Sequence, residues 1–288
     1  MATLTGDNGL LQKATTAKKE NEEAKELELI KLAVSAAQVE GKGTINTDNL
    51  NNQLKNMLNA QTKAILANNE WYYKTDKLYK ISNNGKVNYK NILPSDFKQI
   101  EYIQSKGDQY IITDLIDNEP WKCNVTIEFT SNVFLRNCIF GCNYGADERF
   151  FALDNDSKIV CFLNGIKLYD IYKINLNTKY DIEYDCHNNY SVSINKENIY
   201  SGNRNYNIRA NSPISLMACP RDGNFNNGSG YRSYAKCYYA EFYDNSYNLK
   251  HIFIPCKDKD EIVCMFDLIT NKAFYNQGTG EFIAGPEV

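Results

Sequence analysis

Residues 10–38 read LLQKATTAKKENEEAKELELIKLAVSAAQ. Apolar or small side chains recur at Leu10, Ala14, Ala17, Ala24, Leu27, Ile30, Val34 and Ala37, with Lys18, Lys19, Glu20, Glu22, Glu23, Lys25, Glu26 and Lys31 between them. Spacings of three, four and seven place the small and apolar set on one stripe of a helix, about eight turns and about 40 Å long. The first half of this stripe lacks large apolar residues, which puts the onset of burial near Ala24. Periodicity alone leaves two explanations open: a spine that packs against neighbouring subunits, or a surface helix frayed at its N-terminus. Gly41-Lys42-Gly43 ends the pattern, with Gly41 expected in the left-handed C′ position.

Working outward, Asn46 or Thr47 starts a second helix with Leu50, Leu54, Met57 and Leu58 on one side. Residues 62–67 extend it or form another turn. Residues 71–73, 78–81 and 86–89 read as short strands, and Asn84-Gly85 as a hairpin turn, because both positions tolerate positive φ. The outcome is a long helix laid over a small antiparallel sheet.

Pro94 fixes its own φ and restricts its predecessor, so residues 91–96 form a boundary between domains 1–90 and 91–288. A helix is expected over 97–105, anchored by Phe97, Ile100, Tyr102 and Ile103. Beyond it, short apolar segments alternate with Asn/Asp/Gly turns at 124–129, 133–141, 150–153, 159–163, 180–184, 190–194, 214–219, 234–243 and 250–254. Many short strands at intervals of about a dozen residues favour a sandwich. Asn164-Gly165 reads as a tight turn, and 221–230 as a long polar loop around Phe225.

At 288 residues the chain is long enough for two domains. A formal charge of -3 with dispersed Lys and Arg gives no basic footprint, which excludes a nucleic-acid partner. Only 2 His are present, too few for a three-histidine metal site. Tyrosine is abundant, with 21, and Asn is frequent in the second half, a composition suited to carbohydrate or protein contact. No apolar run reaches transmembrane length, and Met1-Ala2 reads as a start added to a trimmed chain.

Leu4-Thr5-Gly6-Asp7-Asn8-Gly9-Leu10-Leu11, then Lys13-Ala14 and the charged helix ending Leu32-Ala33-Val34-Ser35-Ala36-Ala37, resemble type IV pilins of Gram-positive anaerobes. Gly41-Lys42-Gly43-Thr44-Ile45, Asp48-Asn49-Leu50, Trp71-Tyr72-Tyr73 and Ile81-Ser82-Asn83-Asn84-Gly85-Lys86-Val87 continue that resemblance over residues 3–90. It implies a cleaved basic leader and an apolar helical half before the residues seen here, hence a full-length form anchored in the membrane before assembly. It also implies other pilin subunits as partners through the N-terminal helix, and a structural zinc ion.

Leu93-Pro94-Ser95-Asp96-Phe97, Ile100-Glu101-Tyr102-Ile103, Gly107 and Gln109-Tyr110-Ile111 open the second part. Phe253-Ile254-Pro255-Cys256, Met265-Phe266-Asp267-Leu268, Phe274-Tyr275, Gly278-Thr279-Gly280-Glu281-Phe282 and Gly285-Pro286 close it. These motifs resemble laminin-G or concanavalin-like jelly rolls of bacterial surface proteins. The fold class expected is therefore α+β: a pilin-like long-helix module with a small antiparallel sheet, then a mostly antiparallel β-sandwich. A helix at 97–105 followed by strands also permits a second pilin-like module.

All 9 Cys lie between Cys123 and Cys264, an odd number that disulfides within one chain cannot use up. Zinc takes about four N, S or O ligands in a tetrahedron, and Cys138 with Cys142, and Cys256 with Cys264, are candidate knots. If the sandwich resemblance holds, strand ends gather Cys142, Cys219 and Cys264, with Cys256 or His251 as the fourth ligand. The remaining Cys123, Cys138, Cys161, Cys186 and Cys237 read as small buried hydrophobes. Cys186-His187 is no nucleophile pair, since adjacent strand residues point to opposite faces.

Glu183, Asp185, Glu241 and Asp244 are the acids that could face a groove for glycan hydrolysis. Asp147-Glu148 and Asp154 with Asp156 are loop acids able to hold calcium. For sugar stacking the candidates are Tyr144, Tyr231, Tyr234 and Tyr238. The function expected is a non-enzymatic structural subunit, a minor pilin of an extracellular cell-surface pilus, presenting the β domain for adhesion to a host or community glycan or protein. The alternatives are a stand-alone extracellular carbohydrate- or protein-binding module, and a glycan hydrolase.

Overall fold

The computed structural model describes residues 6–59, 62–75, 77–90, 92–132, 137–142, 149–163, 165–203, 211–220 and 230–288, with side chains left out at 6–12, 220 and 230. The chain forms two compact units, Met1–Ile92 and Leu93–Val288.

The first unit is a helix on a sheet. Helix α1 spans Gly6–Glu40. Its side chains from Lys13 to Glu22 are all exposed; burial sets in at Glu23, beside the expected Ala24, Leu27 packs partly buried against the core, and Ile30 is the first fully buried residue. At this onset the helix meets the sheet through polar groups. Glu23 pairs with Lys77 at 2.5 Å, and Glu26 accepts from the Tyr79 hydroxyl at 2.7 Å. From there Ile30, Ala33, Val34 and Ala37 pack with Leu50, Leu54, Trp71, Tyr73, Tyr79, Ile81 and Val87.

The end of α1 differs in detail from expectation. Lys42, at φ 53, takes the left-handed position assigned to Gly41. Gly43 N donates to Gln38 O at 2.8 Å and Lys42 N to Val39 O at 3.2 Å, the paired bonds of a Schellman cap. Gly41 is needed for space instead, since a Cβ there would meet Thr44 O at 2.0 Å. Helix α2, Thr47–Leu58, is capped by the Asn46 side chain, which accepts from Asn49 N at 2.8 Å. Asn59, at φ 49, turns the chain out of α2. Residues beyond it form the strand Ile65–Ala67 rather than a helical extension. That strand continues through Glu70–Lys74, Leu78–Ser82 and Val87–Asn88 as one antiparallel sheet.

The second unit is a sandwich of two large sheets with a separate two-stranded ribbon, Ala218–Pro220 with Gly230–Arg232, and the strand pairs described are antiparallel. One sheet runs, edge to edge, Ile166–Leu168, Ile159–Leu163, Arg149–Leu153, Asn137–Cys142, Pro213–Leu216 and Ile111–Ile116. The other, eleven-stranded, has the spine Glu197–Asn203, Asn189–Ile194, Lys179–Asp185, Lys122–Phe129, Tyr234–Tyr243, Leu249–Lys257, Val263–Asp267 and Lys272–Tyr275. Lys98–Gln99, Ile103–Lys106 and Ile283–Ala284 join it laterally.

Alternating residues of both sheets make one core. Cys123, Val125, Ile127 and Phe129 point into it from one sheet, and Phe151, Leu153, Ile159, Cys161 and Leu163 from the other. Trp121 sits at its centre, stacked on Tyr184 at 5.0 Å and edge-on to Phe140 at 6.1 Å. Its indole N–H donates to the buried carboxylate of Asp117 at 2.7 Å, which also pairs with the buried Arg149.

The helix expected at 97–105 is absent. Lys98–Gln99 pairs with Cys256 and Lys257, and Ile103–Lys106 pairs with Tyr234, Ala235, Lys236 and Cys237. Burial in Ile103–Lys106 alternates with period two, so the three-residue spacing of Ile100 and Ile103 joins two extended pieces. Among the described residues 93–288 there is no helix, which decides the open choice for the sandwich over a second helix-led module. The strand expected at 214–219 is broken by Met217, at φ 68, into Pro213–Leu216 and Ala218–Pro220. No helix among the described residues is long and apolar enough to cross a membrane.

Candidate functional site

The hairpin joining Tyr234–Tyr243 to Leu249–Lys257 is closed by backbone bonds, Asp244 N to Asn248 O at 2.9 Å and Tyr247 N to Asp244 O at 3.0 Å, and by the Asp244 side chain. Asp244 Oδ1 accepts from the backbone N–H of Ser246 and of Asn248, both at 2.9 Å, and Oδ2 accepts from Asn248 Nδ2 at 3.2 Å. Burial alone would raise the Asp244 carboxyl, but the amides of Asn248 and Ser246 and the charge of Lys250 outweigh it and hold it below its usual range. This turn carries Tyr247 into the left-handed region at φ 59, an uncommon conformation for a bulky residue.

The Tyr247 ring lies nearly flat on His187, with centroids 4.0 Å apart and planes 15° from parallel. Beneath it His187 Nδ1 meets Asp185 Oδ1 at 2.6 Å, and the His187 amide donates to the same oxygen at 3.0 Å. The second oxygen of Asp185 accepts from the Tyr247 hydroxyl at 3.3 Å. Asp185 ends the strand Lys179–Asp185, a rigid base for the whole stack. His187 is 8% exposed and Tyr247 52% exposed. Partial burial, then the charge and hydrogen bond of Asp185, push the Tyr247 hydroxyl above its ordinary pKa, so it stays a neutral donor at physiological pH. The arrangement is an aromatic plate, propped from below, tied at its hydroxyl and open to solvent.

Two of the four expected groove acids, Asp185 and Asp244, flank this plate. Glu183 instead pairs with Lys122 at 2.8 Å. Glu241 is buried and accepts from the hydroxyls of Tyr239 and Tyr243, the latter at 2.6 Å, and from Asn124 Nδ2 at 3.0 Å. Asp154 shapes a turn by accepting from Asp156 N and Lys158 N at 2.9 and 2.8 Å. Asp147 and Glu148 lie outside the described residues.

The expected stacking tyrosines are largely used internally. Tyr238 donates to Glu128 at 2.7 Å, with Lys179 3.7 Å above its ring and Tyr102 edge-on at 5.3 Å. Tyr231 packs at 5.1 Å on Phe150, in a cluster with Cys138, Val160, Phe162 and Cys219. Tyr234 covers Gly107 so closely that a Cβ there would lie 3.1 Å from its ring. Tyr144 lies outside the described residues. Tyr247 was readable only as a hairpin-tip aromatic between Asp244 and Asn248, an Asx-turn signal.

The expected thiolate ligands fall in three settings. Cys142 hydrogen-bonds Asp117 in the six-stranded sheet, and burial followed by the Asp117 charge pushes its thiol well up. Cys219 sits in the apolar cluster around Phe150. Cys256 and Cys264 face each other across two strands of the eleven-stranded sheet. His251, the alternative fourth ligand, has Nδ1 2.9 Å from Asp267 Oδ2. Its Nε2 lies 2.8 Å from Asp114 Oδ1, an electrostatic contact that lacks hydrogen-bond alignment. Among the described residues, no three or more His, Cys, Asp or Glu side chains gather in a way that could hold a metal ion.

Neither a protein-family model nor a curated protein sequence matches the chain. Among solved structures it is similar to a candidate carbohydrate-binding protein from Bacteroides ovatus, at 9% identity and TM-score 0.46, over 77% of this chain and 70% of that one. It is also similar to domains LG4-5 of the mouse laminin α1 chain, at 12% identity and TM-score 0.40, over 78% of this chain and 54% of that one. Carbohydrate-binding module CBM66 from Bacillus subtilis matches at 9% identity and TM-score 0.20, over 62% of this chain and 88% of that one.

Proposed function

We propose that the chain is an extracellular binding module whose β-sandwich recognises carbohydrate by stacking a sugar ring on Tyr247. The carrying observation is the half-exposed Tyr247 ring held flat on His187 and tied to Asp185. An aromatic face attracts the C–H face of a pyranose, and a plate fixed before binding avoids the ordering cost of an exposed side chain. Asn245 and Ser246, on the same hairpin tip, supply short polar groups beside it. The test is a glycan array on the full chain followed by calorimetry on Tyr247→Ala. Saturable glycan binding that the substitution abolishes supports the reading. Undiminished binding by the variant, or a protein ligand with no glycan signal, overturns it.

A second reading, a type IV pilin-like filament subunit, is favoured by α1. Besides its buried stripe, this helix exposes Leu29, Leu32 and Val39, the last at 80% exposure. Spacings of three and seven set these on a second apolar face, as a helix packed between its own sheet and a neighbouring subunit needs. Antibody labelling of sheared surface filaments tests it, and filaments that stay bare while the protein remains in the wall or medium would sink it.

A further inference from the structure

Cys256 and Cys264 are Cα partners on the antiparallel strands Leu249–Lys257 and Val263–Asp267, and their Sγ atoms lie 3.4 Å apart. Which ladder position they occupy follows from their neighbours. The Pro255 carbonyl accepts from Ile100 N at 3.1 Å, and Ile252 O accepts from Leu268 N at 2.9 Å. Backbone groups of successive strand residues point to alternate sides, so Ile252, Ile254 and Cys256 address the strand that holds Cys264, while Pro255 addresses the other side. The cysteines therefore form a hydrogen-bonded pair of the ladder, whose Cα atoms are about 5.5 Å apart. That separation sits inside the range of about 4.4–6.8 Å that a disulfide spans.

The short connection between the two strands is fixed as well. Asp258 Oδ1 accepts from Asp260 N and Ile262 N, both at 2.9 Å, which holds the register that keeps the sulfurs opposed. Cys142 and Cys219 have different neighbours, a carboxylate and an aromatic cluster.

We propose that Cys256 and Cys264 are a disulfide-forming site, closed by exchange with a low-molecular-weight disulfide. One cysteine thiolate attacks a sulfur of the small disulfide, forming a mixed disulfide and releasing one small thiolate. The second cysteine thiolate then attacks the protein sulfur of that mixed disulfide, closes the Cys256–Cys264 bond and releases the other small thiolate. The two protons lost by the cysteines end on the two released thiols. The protein gives up two electrons and the small disulfide accepts them. The hydrogen bond to Cys264, burial and the neighbouring thiol's charge all push the Cys256 thiol up, so exchange is slow until the strands open. The link would join the sheet's edge pair, Val263–Asp267 and Lys272–Tyr275, covalently to its interior.

The test equilibrates the full chain with oxidised glutathione in sub-denaturing urea, so that strand opening does not limit the reaction. Acid quenching, alkylation in denaturant and peptide mapping follow. The expected result is seven alkylated cysteines out of 9, a peptide linking Cys256 to Cys264, and a rise of a few degrees in Tm that reverses with reductant. In C256A/C264V that reductant-sensitive rise disappears. Nine alkylated cysteines, a different linked pair, or glutathione left attached at Cys256 or Cys264 would overturn the proposal. So would stoichiometric zinc whose removal exposes Cys142, Cys219, Cys256 and Cys264 together. Mapping of the unsubstituted chain decides the matter even if the double variant does not fold.

Discussion

His187 and His251 each present Nδ1 to an aspartate and lie flat against an aromatic ring. For His187 the partners are Asp185 at 2.6 Å and Tyr247 at 4.0 Å and 15°. For His251 they are Asp267 at 2.9 Å and Phe253 at 5.0 Å and 13°. The parts are alike and the surroundings differ. Phe253 is fully buried, with Phe274 and Phe242 edge-on to it, whereas Tyr247 stands half in solvent. Asp267 also accepts from Ile252 N, Ile269 N and the Thr270 hydroxyl, so it organises a strand end. Asp185 organises a ring. The same local chemistry thus supports the fold in one place and presents a surface in the other, and solvent exposure of the ring separates the two roles.

Four outcomes would sharpen or break this contrast. The largest belongs to the buried site: Asp267→Ala strands several donors and one histidine, and should lower unfolding free energy by about 3–5 kcal/mol in urea titrations. A loss no larger than that of an ordinary surface substitution would remove the structural role of His251.

Next comes pH. Burial alone would raise Asp267, but hydrogen bonds from His251 and Thr270, the His251 charge and the Ile252 amide outweigh it and hold its carboxyl below the usual carboxylate range. A depressed carboxylate contributes stability that is complete above the unfolded pKa and is lost as pH falls through the folded one. Tm should therefore drop on acidification below about pH 4 more steeply in the unsubstituted chain than in Asp267→Asn. Parallel profiles for the two proteins would contradict the linkage.

At the exposed site the effect should be on binding. Tyr247→Ala should change stability by less than about 0.5 kcal/mol while weakening glycan binding by at least about tenfold, or ~1.4 kcal/mol. The smallest change is expected for His187→Phe, which keeps a flat ring under Tyr247. Binding should fall only a few-fold by calorimetry, and a loss equal to that of Tyr247→Ala would mean that the imidazole itself contacts ligand.

Sequence periodicity was informative where one element buries one face. Leu10 to Gln38 reads as a helix because its small and apolar residues follow a helical period, and 234–243 reads as a strand because Ala235 and Cys237 alternate with Lys236 and Tyr238. Residues 97–105 misled because an isolated bridge at Ile100 separates two short strands, so two period-two pieces imitate one helical spacing. At the candidate site, Asp185 and Asp244 were recognisable as acids near strand ends, but their convergence depends on which strands neighbour each other. Tyr247 gave no signal of its own among so many tyrosines. Its role comes from the Asp244 turn and from His187, which approaches from a loop about sixty positions earlier in the chain and joins it only once the sheet has formed.

The lateral strands of the eleven-stranded sheet have one more consequence. Ile283–Ala284 pairs with Gln104 and Ile103, Val288 N donates to Gln99 O at 3.1 Å, and Glu101 N donates to Pro286 O at 2.8 Å. The first and last segments of the second unit are therefore hydrogen-bonded neighbours. A unit built in this way can be spliced into a surface loop of an unrelated host with little separation of the host's cut ends. It should also tolerate circular permutation through a brief Gly/Ser bridge from Val288 to Leu93, with new termini opened at a turn such as Asn195-Lys196. In engineering terms, the sandwich is a portable cassette with its entrance and exit on the same side.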